Sequence, residues 1–190
     1  MPMEGHMSKA SKLSKKQVEE MGRLKVSLHY NREIILHGTF VAIDPSCVSM
    51  SSKPGYAIFQ NGEFVEMGIV DVKYVPSLSL RLQRLHAVIS ESIAPHVELL
   101  VIEETPVRGI RTKANAAATG GTFMNLKSIA SLKKACGAII SAFTVGTPVI
   151  DMPASLWHRA MRDAGIEVVK SDDGDARHIG LAAIQILKGN

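Results

Sequence analysis

The chain alternates short β-branched apolar runs with longer stretches of helical periodicity, and that alternation sets the architecture to expect. Thr39 to Ile43 is an apolar run closed by Asp44 and Pro45, which reads as a buried strand entering a loop. GYAIF (55–59) and FVEMGIVDV (64–72) flank Gln60, Asn61, Gly62 and Glu63, and Asn-Gly between apolar runs predicts a tight hairpin. The first three strands should form an antiparallel meander. Leu78, Leu82, Leu85, Val88 and Ile89 then recur at helical spacing up to Pro95, so a helix covers one face of the sheet. ELLVIEE (98–104) is too short and apolar for anything but a strand covered on both faces.

Leu126 to Phe143 predicts a second helix, rich in small residues at Ala130, Ser131, Ala135, Gly137, Ala138 and Ser141. PVIDM (148–152) follows as a fifth strand and SLWHRAMRDAG (155–165) as a third helix. DARHIGLAAIQIL (175–187) is a last helix packing through Ile179, Ala182, Ala183 and Ile186. The order β, β, β, α, β, α, β, α, α predicts an α/β domain over 38–190. Its mixed five-stranded sheet joins the meander to parallel strands, with helices on both faces. Residues 1–37 read as a basic N-terminal extension, partly flexible or helical, outside that domain. The stretch TPVRGIRTKANAAATGGT (105–122) has no period and is expected to be a functional loop.

Composition narrows the classes. The 190 residues are 46% hydrophobic, enough for one domain with a substantial core. No apolar run reaches the roughly 18 residues of a membrane span, and no hydrophobic segment follows the basic N-terminus. A cytoplasmic protein without membrane partners is expected. Cys47 and Cys136 are far apart and lack zinc-finger spacing, so they read as two buried free thiols. The formal net charge is +4. Its distribution says more: Lys9, Lys12, Lys15, Lys16, Arg23 and Lys25 come early, Arg108, Arg111 and Lys113 lie in the loop, and Lys127, Lys133 and Lys134 lie on the second helix. Such clusters suit a polyanion.

Carboxylates carry the chemistry. Asp44 leaves the first strand, Glu103 the fourth, and Asp172 and Asp175 open the last helix three residues apart on one face. Residues just past the carboxyl ends of parallel strands gather in one crevice, so all four can meet there. Each has a structural alternative: Asp44 before Pro45 closes a turn, Glu103 ends a strand, Asp172 caps a helix and Asp175 favours its first turn. Whether Glu104, Asp173 or His178 joins the site stays open. Like charges packed together resist ionisation, and divalent cations remove the conflict. Hard oxygen donors favour paired Mg²⁺, with Mn²⁺ as a substitute, and such a pair about 4 Å apart drives in-line phosphoryl displacement. Phosphodiester hydrolysis is the expected reaction.

These residues resemble the RuvC type of Holliday junction resolvase, within the RNase H-like superfamily. V-A-I-D-P-S (41–46) with G-Y-A-I-F (55–59) resembles the family's first-strand motif and the strand that follows it. V-I-E-E (101–104) resembles the strand bearing the second acid and maps it to Glu103. D-D-G-D-A (172–176) with I-G-L-A-A (179–183) resembles the closing helix and maps Asp172 and Asp175. The resemblance covers about residues 38–187, and Ser46 stands where the family usually has Gly. It implies an RNase H-like fold and a Mg²⁺-dependent homodimer that nicks a four-way DNA junction symmetrically. It also implies association through the 126–143 helix, and strand contact by Arg108, Arg111 and Lys113.

Two rival readings keep the fold. One is a nuclease acting on RNA–DNA hybrids or other branched DNA; the other is a junction-binding module without catalysis. A sugar-kinase or actin-like ATPase needs a second phosphate loop and usually a second domain, for which this length leaves no room.

Overall fold

The computed structural model describes residues 14–46, 53–73, 75–104, 126–168 and 171–189. Its centre is a five-stranded sheet in the order β3-β2-β1-β4-β5. The strands are β1 (Thr39–Asp44), β2 (Gly55–Gln60), β3 (Glu63–Ile69), β4 (Leu99–Glu103) and β5 (Val149–Met152). β1 pairs antiparallel with β2 and β2 with β3, whereas β1–β4 and β4–β5 are parallel. The meander is as the sequence predicts. At its hairpin Asn61 has φ 54° and Gly62 φ 74°, both left-handed, so the Asn-Gly pair supplies the backbone that matches the strand twist.

Period-two alternation feeds two cores. Phe40, Ala42, Ala57, Phe59, Leu99, Val101, Ile150 and Met152 face one side of the sheet. Val41, Ile43, Leu100 and Ile102 face the other, against α3 (Leu78–Ser92) and α4 (Leu126–Ser141). The first side is covered by α5 (Ala154–Asp163) and α6 (Asp172–Lys188). α6 crosses β1, β2 and β3 closely. A Cβ at Gly180 would overlap the Phe59 ring, so only glycine permits this approach. Phe59 in turn stacks on Phe40 with centroids 4.8 Å apart.

The N-terminal region, expected to be partly flexible or helical, forms α1 (Lys15–Tyr30) and α2 (Arg32–His37). Ser14 caps α1 in a capping box with Gln17. Leu24, Leu28 and Ile35 are buried in the first core, and α1 packs on β5 and α6. The physical unit therefore begins before residue 38. Residues 1–13 lie outside the described residues. So does Cys47, while Cys136 is half-buried rather than fully buried.

Candidate active site

Parallel pairing of β1 with β4 puts Ile43 beside Ile102, so the next residues, Asp44 and Glu103, leave the sheet side by side. The sequence predicts both acids at strand ends but cannot fix that adjacency. Asp175 reaches the same place from the first turn of α6. Ser171, not Asp172, is the N-cap of this helix: its hydroxyl accepts from the Gly174 N–H at 3.1 Å. The Asp173 carboxylate accepts from the same N–H at 3.0 Å. Capping thus falls to Ser171 and Asp173, which leaves the structural alternative for Asp172 without support. The side chain of Asp172 lies outside the described residues.

Electrostatics ties three of the four acids together. Burial first, then the charge of Asp44, then that of Asp175, pushes the Glu103 carboxyl up to about 8. Only the Trp157 indole N–H opposes this, by favouring the anion. Glu103 is therefore mostly protonated at neutral pH in the metal-free protein. Among the described residues no three acids or histidines converge tightly enough to hold an ion as they stand. The donor set nonetheless fits a hard divalent cation: carboxylate oxygens from three elements, with mutual repulsion that a positive charge relieves.

Glu104 takes no part in this cluster. It is exposed and lines a separate cleft of about 320 Å³ with Glu20, Arg23, Ser27 and Asp151, between α1 and the β4–β5 edge. Pairing parity explains the split, because successive side chains on a strand point to opposite faces.

Three rings border the cluster. Trp157, in the first turn of α5, is 1% exposed and stacks on His158 with centroids 3.7 Å apart. His178, one turn beyond Asp175, is 2% exposed and lies parallel to Trp157 at 6.4 Å. Desolvation holds both histidines below their usual value, and the Asp175 charge works the other way. The sequence points to no role for Trp157; its nearness to Glu103 depends on how α5 docks after β5.

The expected DNA contacts divide. Arg108, Arg111 and Lys113 lie outside the described residues. Lys127, Lys133 and Lys134 are exposed on α4, in the layer opposite α6. They are not part of the carboxylate cluster.

Sequence comparison gives no match, neither to a protein-family model nor to a curated protein. Comparison of folds does. The structure of Thermus thermophilus RuvC in complex with Holliday junction substrate superposes with a TM-score of 0.53 at 16% identity, covering 76% of this chain and 90% of that one. A second Thermus thermophilus RuvC structure gives 0.51 at 17% identity, with 80% and 96% covered. The chain has the RuvC fold. The expected RNase H-like sheet with helices on both faces is thereby met. RuvC is matched over nearly its whole length, and about a fifth of the present chain lies beyond it.

Proposed function

We propose that the chain is a divalent-metal-dependent endonuclease that resolves four-way DNA junctions by paired symmetric nicks. The observation that carries this reading is the meeting of Glu103 with Asp44 of the neighbouring strand end and Asp175 of α6 in a RuvC fold, where burial and the two charges raise the Glu103 carboxyl to about 8. A cluster that resists its own ionisation is costly unless a cation completes it. A carboxyl perturbed by burial together with specific charged neighbours is a functional-site candidate.

Asp44, Glu103, Asp172 and Asp175 would hold the ions, Mg²⁺ or Mn²⁺. Bound there, such ions supply Lewis acidity and an activated water for phosphodiester hydrolysis. The chain's own groups set the stage. Asp44 and Glu103 stand on rigid neighbouring strands, which fixes their separation without side-chain ordering. Asp175 is held by a helix pressed onto the sheet at Gly180.

DNA would be held by Arg108, Arg111 and Lys113 of the long loop, with Lys127, Lys133 and Lys134 adding positive charge on α4. A homodimer through α4 would present two such sites to a twofold junction. Support comes from the outer side of α4: Ala130, Gly137 and Ser141 are exposed, Ile140 is 38% exposed, and a Cβ at Gly137 meets nothing within 4 Å.

The deciding experiment incubates the protein with a synthetic four-way junction, with and without Mg²⁺, and maps the nicks on each strand. Symmetric Mg²⁺-dependent nicks are expected. Cleavage of an RNA–DNA hybrid or a flap in preference to the junction would select the other nuclease reading, and tight binding without any cut would select the non-catalytic one.

A further inference from the structure

Trp157 presents an unresolved polar atom beside the carboxylates. It is the only tryptophan in the chain. Its ring is buried, stacked on His158 and parallel to His178 of the Asp175-bearing helix. Its indole Nε1 is buried yet makes no hydrogen bond of good geometry. Buried indole N–H groups normally find an acceptor, because losing water without replacement is unfavourable. The acceptor within its influence is the Glu103 carboxyl, whose anionic form the indole favours.

Resting on the nuclease reading, we propose that Trp157 is a positioning residue: its N–H donates to one oxygen of the Glu103 carboxylate and turns the other toward the cation. A cation bound at Glu103 would fix the carboxylate in place, and a fixed carboxylate is the acceptor this buried N–H lacks. Trp157 is already buried and stacked on His158, so little ordering is needed when the ion arrives. This arrangement also links α5 to α6: the ring that orients Glu103 lies parallel to a residue one turn from Asp175. Hydrogen-bond partners behind metal ligands commonly govern affinity in this way.

A single tryptophan makes the test direct, since the ¹⁵N–¹H spectrum contains one indole cross-peak. Titration with Mg²⁺ alone should move that proton downfield, and Glu103→Gln should abolish the movement. Trp157→Phe keeps the stacking ring but removes the donor. Calorimetric titration with Mn²⁺ alone should show about tenfold weaker binding in this variant, with binding of junction DNA in chelator unchanged. If the wild-type chain binds Mn²⁺ while its indole peak stays still, or if Trp157→Phe binds the ion as tightly as wild type, Trp157 is core packing only and the nuclease reading survives. If the wild-type chain binds neither ion, the metal site itself is refuted and this inference with it.

Discussion

Asp44 and Glu103 end neighbouring parallel strands one step past the Ile43–Ile102 pair, and the Asp44 charge helps to lift the Glu103 carboxyl far above its ordinary 4.5. The two residues are remote in sequence, so their meeting is a product of the β1–β4 crossover. Replacing either acid should expose the division between binding and cutting.

Asp44→Asn keeps the shape of the strand end but removes a cation-binding charge. Mg²⁺-dependent cleavage should vanish while affinity for the junction persists through the basic surface. Gel-shift and cleavage assays on one preparation check this, and loss of both together would contradict it.

The Glu103 carboxyl makes metal-free stability depend on pH in a set direction. Between 4.5 and about 8 the folded chain keeps a proton that the unfolded chain has released. The unfolded state binds fewer protons across that window, so stability falls as pH rises through it and levels off above. Glu103→Gln should remove this slope. Thermal melts in chelator should show the variant gaining on wild type as pH rises from 4.5 to about 8. Parallel curves would discard the burial-and-repulsion account. Cation binding, which must displace the same proton, should strengthen as pH rises toward 8.

Gly180→Ala places a methyl group in the Phe59 ring. Overpacking of this kind costs about 1–3 kcal/mol, and the displaced α6 would carry Asp175 away from the strand ends. Chemical denaturation and cleavage should both report the damage. Adding Phe59→Leu should restore part of the stability, since the two substitutions share one contact.

Substituting Ala for Arg108, Arg111 and Lys113 together should weaken junction binding and flatten its salt dependence. Each lost phosphate contact lowers the log–log slope by about 0.9. Filter binding over a salt series measures it, and an unchanged slope would remove the loop from the DNA interface.

Leu28 is fully buried where α1 meets the first core. Leu28→Ala should cost about 2–5 kcal/mol, as a central core residue does, and a chain cut back to residues 38–190 should lose cooperative unfolding. A sharp melt from the shortened chain would show α1 and α2 to be dispensable.

Much of this molecule can be read from local sequence. Asn61-Gly62 announces its turn because few residues tolerate left-handed backbone, and VIE announces a strand end because a five-residue strand leaves little choice. α1 is obscured: Met21, Leu24 and Leu28 have helical spacing, but the surrounding Lys and Glu residues give the region the composition of a solvated tail. Strand order is likewise absent from local pattern, so Asp44 and Glu103 are legible as strand-end acids but not as neighbours. The nearness of Trp157 to Glu103 and the turning of Glu104 to another side depend on packing direction and strand parity, whereas the choice of Glu103 over Glu104 comes from the motif resemblance. The motif resemblance points to the RuvC fold that the comparison of folds also finds, where whole-chain sequence matching finds nothing.

Seating α1 on β5 and α6 has a consequence for assembly. That helix, with α2, α5 and α6, seals one whole side of the sheet. On that side a second copy would meet helices rather than the sheet, whereas β3 ends the sheet with Val65, Met67 and Ile69 partly bare. The N-terminal helices thus give this side an outer surface of their own, on which Val18, Val26 and Tyr30 are the exposed large apolar side chains.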